Sequence, residues 1–268
     1  MPETYRGFVN AWECDENDHV NVQFYSERFE IMARHLYAGI GDRWPFSALL
    51  TRHIRYHREC RTGDVLRGES TVVGDTEIAH ALYHAETGEL LATALDGFRS
   101  DVAAPRQLSR VALPNEVAPR GLDPTPDLET GSLSSLAAGD YETIYTGVVE
   151  PSHLGPEALM ADRYFITRVT DGVAHAWATA GITQSFLENR GLGRVAVEMK
   201  LTIAQRPPVG TLVKVVAKVL AITPRIITFR LCLGDVEANR IFATTQIAAL
   251  LMDLKTRKSV PFPDDLRR

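Results

Sequence analysis

The stretch W-E-C-D-E-N-D-H-V-N-V-Q-F-Y, Trp12–Tyr25, decides how this chain is read. It gathers Glu13, Asp15, Glu16, Asp18 and His19 in a short loop. An amphipathic pattern follows at once: Phe24, Tyr25, Phe29, Met32, Ala33 and Leu36. Apolar residues three and four apart predict a helix with one buried face. Titratable groups therefore stand at the positive end of a helix dipole. An anion, or a carbonyl oxygen becoming one, is stabilised there.

Working outward, the pattern predicts a short strand over Arg6–Trp12 before the acidic loop and a helix over Gln23–Ile40 after it. Gly39 and Gly41 supply a glycine stop. Strands follow near Leu50–Arg58, Val65–Val73, Ile78–His84 and Leu90–Arg99. They are rich in Val, Thr, Leu and Tyr, and T-G-D, V-G-D and E-T-G-E turns separate them. The same order then recurs. A strand is predicted near Thr143–Val149, a helix over Ala161–Gly181, and strands near Val195–Gln205, Leu212–Ile222, Ile226–Leu233 and Ile241–Leu254. His53–Asp64 aligns without a gap on Lys200–Thr211, so Arg58 meets Gln205 and Gly63 meets Gly210. Leu90–Asp101 matches Ile241–Asp253, and Val111–Val117 lies over Val260–Leu266. Blocks repeated in one order point to a duplicated unit. The expected division is 1–117 for the first unit, 118–140 for a linker and 141–268 for the second. The wider segment Asp101–Asp140 carries five prolines, as a surface-packed connection does. A long helix followed by an antiparallel sheet is α+β, and two such units can merge their sheets side by side.

Composition narrows the function. Of 268 residues, 45% are hydrophobic and 24% charged, as in ordinary globular proteins. A net charge of −5 argues against non-specific nucleic-acid binding, which needs a basic face. No apolar run approaches the roughly 20 residues that span a bilayer. The N-terminus shows no basic-then-apolar signal pattern. Cys14, Cys60 and Cys232 lack C-x-x-C spacing, which fits a reducing cytoplasm better than a disulfide scaffold or zinc site. His53 and His57 have no further ligand at metal spacing, so neither a metal site nor a cofactor is expected.

The run W-E-C-D-E-N-D-H-V-N-V-Q-F-Y-S-E-R-F-E resembles the D-x-D-x-x-G-H-x-N-x-x-x-Y signature of hydroxybenzoyl-CoA-type thioesterases. These belong to the hot-dog fold acyl-CoA thioesterase superfamily. Asp15 falls on the second aspartate, His19 on the histidine, Asn21 on the asparagine and Tyr25 on the tyrosine. Glu13 replaces the first aspartate and Asp18 the glycine. Tyr56–Asp64 resembles the strand in which an aromatic and basic residues precede a G-D turn. The resemblance implies a double hot-dog, each unit a long helix wrapped by antiparallel sheet, acting on an acyl-CoA. It also implies a homo-oligomer, a dimer of double hot-dogs. The loop is further similar to thioesterase domains of bacterial carnitine breakdown that act on betainyl-CoA. On that reading Trp12, Trp44 and Tyr25 would face a quaternary ammonium.

The chemistry expected at the loop is hydrolysis of a thioester to free acid and CoA. Asp15 would act as general base or nucleophile, with His19 and Asn21 orienting water or the carboxylate. Backbone amides near Val22, Gln23 and Phe24 would form the oxyanion hole, and Tyr25 would border the pocket. Arg55, Arg58 and Arg61 would hold the phosphates of CoA. The plain alternatives are a capping carboxylate for Asp15, an N-cap for Asn21, a core ring for Tyr25 and a solvated face for the arginines. In the second unit, V-V-E-P-S-H-L-G-P-E-A-L-M aligns Gly155 with the motif glycine. Ser152 then stands in the place of Asp15 and Pro156 in that of His19, with Glu150, His153 and Glu157 nearby. One unit is thus expected to be active and the other degenerate. Two further functions compete. Enoyl-thioester hydration uses D-x-N-P-x-H, but here the histidine follows the aspartate by four positions with no proline. The other is a non-catalytic acyl-CoA-binding or scaffold role.

Overall fold

The computed structural model describes residues 2–102, 104–105 and 107–266, and the chain divides into two compact units, 1–126 and 127–268. Linker residues Ala103 and Arg106 and the last two arginines lie outside the described residues. In unit 1, strand β1 (Glu3–Phe8) leads through a 3₁₀ turn at Ala11–Glu13 into helix α1 (Val22–Ala38). Then come β2 (Leu49–Tyr56), β3 (Val65–Val73), β4 (Glu77–His84) and β5 (Leu90–Phe98). They form an antiparallel sheet in the order β1-β3-β4-β5-β2, with the two-residue β6 (Arg110–Val111) parallel to β3. The apolar face of α1 fits the sheet because Phe24, Phe29, Met32 and Ala33 recur at helical spacing. They are buried with Ile54, Leu66, Leu82 and Ala92 of the strands.

Unit 2 repeats the order. A short helix α2 (Leu133–Ala137) precedes β7 (Glu142–Val148). Helices α3 (Asp162–Asp171), α4 (Val173–Thr179) and α5 (Gln184–Glu188) follow. The sheet runs β7-β9-β10-β11-β8, built from β8 (Leu192–Ile203), β9 (Leu212–Ile222), β10 (Ile227–Asp235) and β11 (Arg240–Asp253). The short β12 (Lys258–Val260) pairs with β11.

Across the five main strands the correspondence between units holds register by register, but the match of Val111–Val117 to Val260–Leu266 is corrected: β6 runs parallel to β3, whereas β12 pairs antiparallel with β11. Tyr5 pairs with Gly68 as Tyr145 pairs with Val215, and a bulge precedes both pairs. Ile54 pairs with Ala94 as Leu201 pairs with Thr245. The amides of His57 and Arg58 share the carbonyl of Leu91, as those of Ala204 and Gln205 share that of Phe242. The gapless alignment of His53–Asp64 on Lys200–Thr211 therefore describes equivalent backbone.

Two local expectations are corrected. The first strand ends at Phe8, and Trp12 lies in the 3₁₀ turn. The second unit's single predicted helix is two, broken at Gly172, which ends α3 and starts α4. A β-carbon on Gly172 would lie 2.8 Å from the carbonyl oxygen of Ile144, so helix and strand approach more closely here than any side chain allows. The residue that corresponds to Gly172 in unit 1 is Met32, whose thioether fills the space above Gly68 of β3. In unit 2 the register position of Gly68 is taken by Val215, and Gly172 lies against Ile144 of β7. Bulk has changed sides between helix and strand.

The cores differ more deeply. Unit 1 buries a polar chain. Thr4 Oγ1 and Ser70 Oγ are 2.6 Å apart, and Ser70 Oγ is 2.7 Å from His80 Nδ1. His80 Nε2 lies 3.4 Å from Asp96, which accepts two bonds from Arg52 at 2.7 and 2.6 Å. Arg52 also donates to the carbonyl of Ser26 in α1. Burial opposes ionisation of Asp96, but Arg52 and His80 outweigh it and hold the carboxyl down to about 2. By register, the positions of Thr4, Arg52, Ser70, His80 and Asp96 are taken in unit 2 by Ile144, Met199, Ala217, Leu231 and Ile247. Every member is apolar there.

Candidate functional site

The acidic loop is a closed knot of backbone and side-chain bonds. The Asp15 amide donates to the carbonyl of His19 at 2.8 Å, and Cys14 bridges to Val20. The half-buried Asp15 turns one carboxylate oxygen, Oδ1, back onto the amides of Asn17 (2.8 Å) and His19 (3.2 Å). This is the Asx geometry that short acidic side chains form in turns. Asp18, at the glycine position of the D-x-D-x-x-G-H signature, adopts φ +58°. Aspartate tolerates the left-handed region better than most residues, so the turn survives without glycine. Its carboxylate accepts from Thr62 Oγ1, which pins the loop to the turn between β2 and β3.

Glu13 is not part of the open site. It is buried against Arg28, which donates to both its oxygens at 2.9 Å, and it caps the amide of Asn10 at 2.7 Å. Asn21 is the N-cap of α1, accepting from the Gln23 amide at 3.2 Å, while the Phe24 amide donates to the Asn21 carbonyl. Of the amides expected to form an oxyanion hole, those of Gln23 and Phe24 are thus engaged in the cap. The Val22 amide, at the first helical position, has no acceptor among the described residues. Tyr25 packs in the core, edge-on to Tyr56 at 5.2 Å. Burial and the neighbouring Cys60 thiol raise its hydroxyl well above the usual phenol range, and burial pushes Cys60 up to about 11.

His19 is buried and its Nε2 lies 3.2 Å from Glu59, which also lies 3.6 Å from Arg61. Glu59 leaves β2 beside Cys60, whose carbonyl accepts from the Val20 amide. In sequence this acid is masked by the arginines on either side of it. The signal was the lone carboxylate in R-E-C-R. Arg55 donates to the carbonyls of Asn115 and Ala118 and so fastens the segment after β6 to the sheet. Arg58 pairs with Glu89 and Arg61 with Glu59, both exposed. The three arginines therefore form no single cradle. The aromatics do not gather either. Trp12 is 76% exposed beside the loop, whereas Trp44 packs on Tyr37 and Phe98 past the other end of α1. Among the described residues no cluster of His, Cys, Asp or Glu has metal-binding geometry, and all three cysteines are free. No helix there is long and apolar enough to cross a membrane.

Unit 2 folds its loop the same way around different residues. The Gly155 amide donates to the Leu159 carbonyl, and Leu154 bridges to Met160. Gly155 therefore stands where Asp15 does and Leu159 where His19 does. This corrects the alignment that set Gly155 on the motif glycine. That place belongs to Ala158, at φ +52°. The start of α3 is occupied from within. Asp162, at the position of Val22, is fully buried and pairs at 2.5 Å with Arg206, the counterpart of Glu59. Arg206 also donates to the Met160 carbonyl. Glu150 caps the 3₁₀ turn, its amide donating to His153 Nδ1 at 2.8 Å.

No protein family's sequence profile matches the chain, and no curated protein does. Solved structures do. A putative oleoyl thioesterase from Lactobacillus plantarum superposes with a TM-score of 0.63 at 12% identity, over 92% of this chain and 94% of that one. An acyl-ACP thioesterase from Bacteroides thetaiotaomicron gives 0.62 at 8% identity, over 91% and 96%. The 12:0-ACP thioesterase of Umbellularia californica gives 0.58 at 12%, over 91% and 92%. With a helix set against an antiparallel sheet in each half, this chain has the hot-dog fold of those thioesterases.

Proposed function

We propose that the protein hydrolyses an acyl-CoA thioester to the free acid and CoA at the Asp15 loop of unit 1. We also infer that the chain is a tandem repeat whose second site has lost this role. The observation that carries the reading is a carboxylate held on one oxygen by loop amides, just before a helix whose first amide is unengaged. The shared fold of known thioesterases supports the reaction class. Asp15 supplies the base for water, or attacks the carbonyl carbon itself to give a mixed anhydride that water then hydrolyses. The Val22 amide receives the developing oxyanion, one such donor being worth about 10²–10³ in rate. The thiolate leaves and takes a proton as free CoA. Arg58 and Arg61 are the cations available to CoA phosphates, because their exposed ion pairs, worth at most about 1 kcal/mol, exchange readily. Arg55 is committed to main-chain carbonyls.

The test is thiol release, followed with a thiol-reactive dye over a panel from acetyl- to palmitoyl-CoA. Release by the wild type that is lost in Asp15→Asn supports the reading. Unchanged hydrolysis in that variant overturns it. After a single turnover in H₂¹⁸O, label in the Asp15 carboxylate identifies the nucleophilic role.

A further inference from the structure

We propose that unit 2 carries a binding site for a free medium-chain carboxylic acid, in the groove that α5, β8, β11 and β12 enclose, with Arg190 gripping the carboxylate. This goes beyond hydrolysis at Asp15 and does not depend on it. The groove exists because the central hairpin of unit 2 outgrows that of unit 1. Strand β2 begins at Leu49 and β5 ends at Phe98, and the two residues pair just past a bulge. Their counterparts, Ala196 and Ala249, also pair just past a bulge, but β8 starts earlier, at Leu192, and β11 runs on to Asp253. Hydrogen bonds hold this extension in place. Leu251, Met252 and Asp253 pair with β12, the Leu254 amide donates to the Gly191 carbonyl, and Arg225 donates to the Ser259 carbonyl at 2.7 Å.

A cavity of about 460 Å³ opens on the extension, a volume typical of small-molecule sites. Leu192, Leu251, Val260 and Phe262 make it apolar, and Phe186 of α5 adds a further wall. Leu251 and Phe262 are buried, and Phe262 stacks near Trp177, so the floor is set before any ligand arrives. Arg190 is the exception to the apolar lining. Its guanidinium lies 4.0 Å over the Phe186 ring, and no carboxylate pairs with it among the described residues. Stacking engages the face of a guanidinium and leaves its N–H edge for the two oxygens of a carboxylate. Asp264, the other charged lining residue, is exposed to solvent. Apolar walls with one such cation complement an acid with a hydrocarbon tail. A polyphosphate needs several cations, and a neutral lipid leaves Arg190 unused.

The experiment titrates decanoate into the full chain by calorimetry, for wild type, Arg190→Gln and Arg190→Lys, with decan-1-ol as the uncharged probe. The ¹³C methyl signals of Leu192 and Val260 report where the ligand sits. Decanoate is expected to bind the wild type and to shift both sets of methyls. Its affinity should fall at least about tenfold in Arg190→Gln and less in Arg190→Lys, which keeps the charge without the planar fork. Decanol should bind more weakly, and equally to all three proteins. Unchanged decanoate affinity in Arg190→Gln overturns the proposal. So do methyl shifts that spare Leu192 and Val260, decanol binding as tight as that of decanoate, or no binding of decanoate at all. Octanoyl-CoA hydrolysis should be the same in Arg190→Gln as in wild type. If the wild type hydrolyses no acyl-CoA, the functional reading fails, and the titration still decides whether unit 2 holds the acid.

Discussion

The two acidic-loop regions share a backbone and differ in what that backbone holds. Unit 1 has Asp15, His19 and Glu59 around the start of α1; unit 2 has Gly155, Leu159 and a buried Arg206–Asp162 pair around the start of α3. The sheet beneath the loops differs at five matched positions. Unit 1 runs charge through its core, from Arg52 and Asp96 to His80, where unit 2 packs Met199, Ile247 and Leu231. The same pairing register is thus compatible with either filling. What the loop offers a ligand is set by a few side chains and is independent of the fold.

The sharpest way to break the comparison is to remove the acid that unit 2 lacks. Asp15→Asn keeps an oxygen for the Asn17 and His19 amides, so the turn should hold. Thiol release should fall roughly 10²–10⁴-fold. Far-ultraviolet circular dichroism and the melting temperature should stay close to wild type, and a large drop in either would show that Asp15 is chiefly a structural cap.

The core difference gives the next largest effect. Arg52→Met alone leaves Asp96 buried without its main partner and should cost about 3–5 kcal/mol of unfolding free energy. Replacing the whole set with its unit 2 counterparts, T4I, R52M, S70A, H80L and D96I together, should recover most of that loss. Buried ion networks are often matched by well-packed apolar residues of similar volume. Urea unfolding measures both. If the fivefold variant is no more stable than Arg52→Met, the two cores are not interchangeable.

The exchange of bulk between helix and strand is smaller. Gly172→Ala puts a methyl 2.8 Å from the Ile144 carbonyl, a backbone atom with nowhere to go. Overpacking of this kind costs about 1–3 kcal/mol, against the roughly 1 kcal/mol of helix propensity that alanine gains over glycine. Net destabilisation is expected in thermal melts, whereas net stabilisation would mean that α3 and α4 can join into one helix as in α1.

These differences show which parts of the molecule the sequence discloses. The strands were legible because Val, Thr, Leu and Tyr cluster between glycine turns, and α1 because its apolar residues keep helical spacing. The break at Gly172 was hidden, since the apolar pattern continues on both sides of it. Matching glycine to glycine misplaces the unit 2 loop, because the turn requires only a positive φ, which Asp18 and Ala158 both supply. Arg52, His80 and Asp96 read as ordinary polar strand residues. Their meeting depends on a sheet register that a linear pattern does not contain. Glu59 escaped for the same reason, being near His19 only after the loop folds back on the exit of β2.

The smallest effect separates the caps of the two 3₁₀ turns. Glu13 and His153 each accept a bond from the residue three before, and each faces an arginine of the following helix. The acid attracts Arg28. The imidazole must keep Nδ1 unprotonated to cap Glu150, and its Nε2 lies 3.4 Å from Arg168, with Glu150 and Asp171 the nearby acids. Partial burial first, and then Arg168, lowers the pKa of His153 from 6.5. A group depressed in the fold contributes stability above its unfolded pKa and loses it as pH falls through the folded one. The wild type should therefore lose stability to this site below about pH 6.5. His153→Glu, which installs the unit 1 residue opposite Arg168, should shift that loss toward the carboxylate range. Melting temperatures of both proteins between pH 7 and pH 5 decide it. Parallel curves would mean that the two caps are equivalent and that the histidine carries no acid sensitivity of its own.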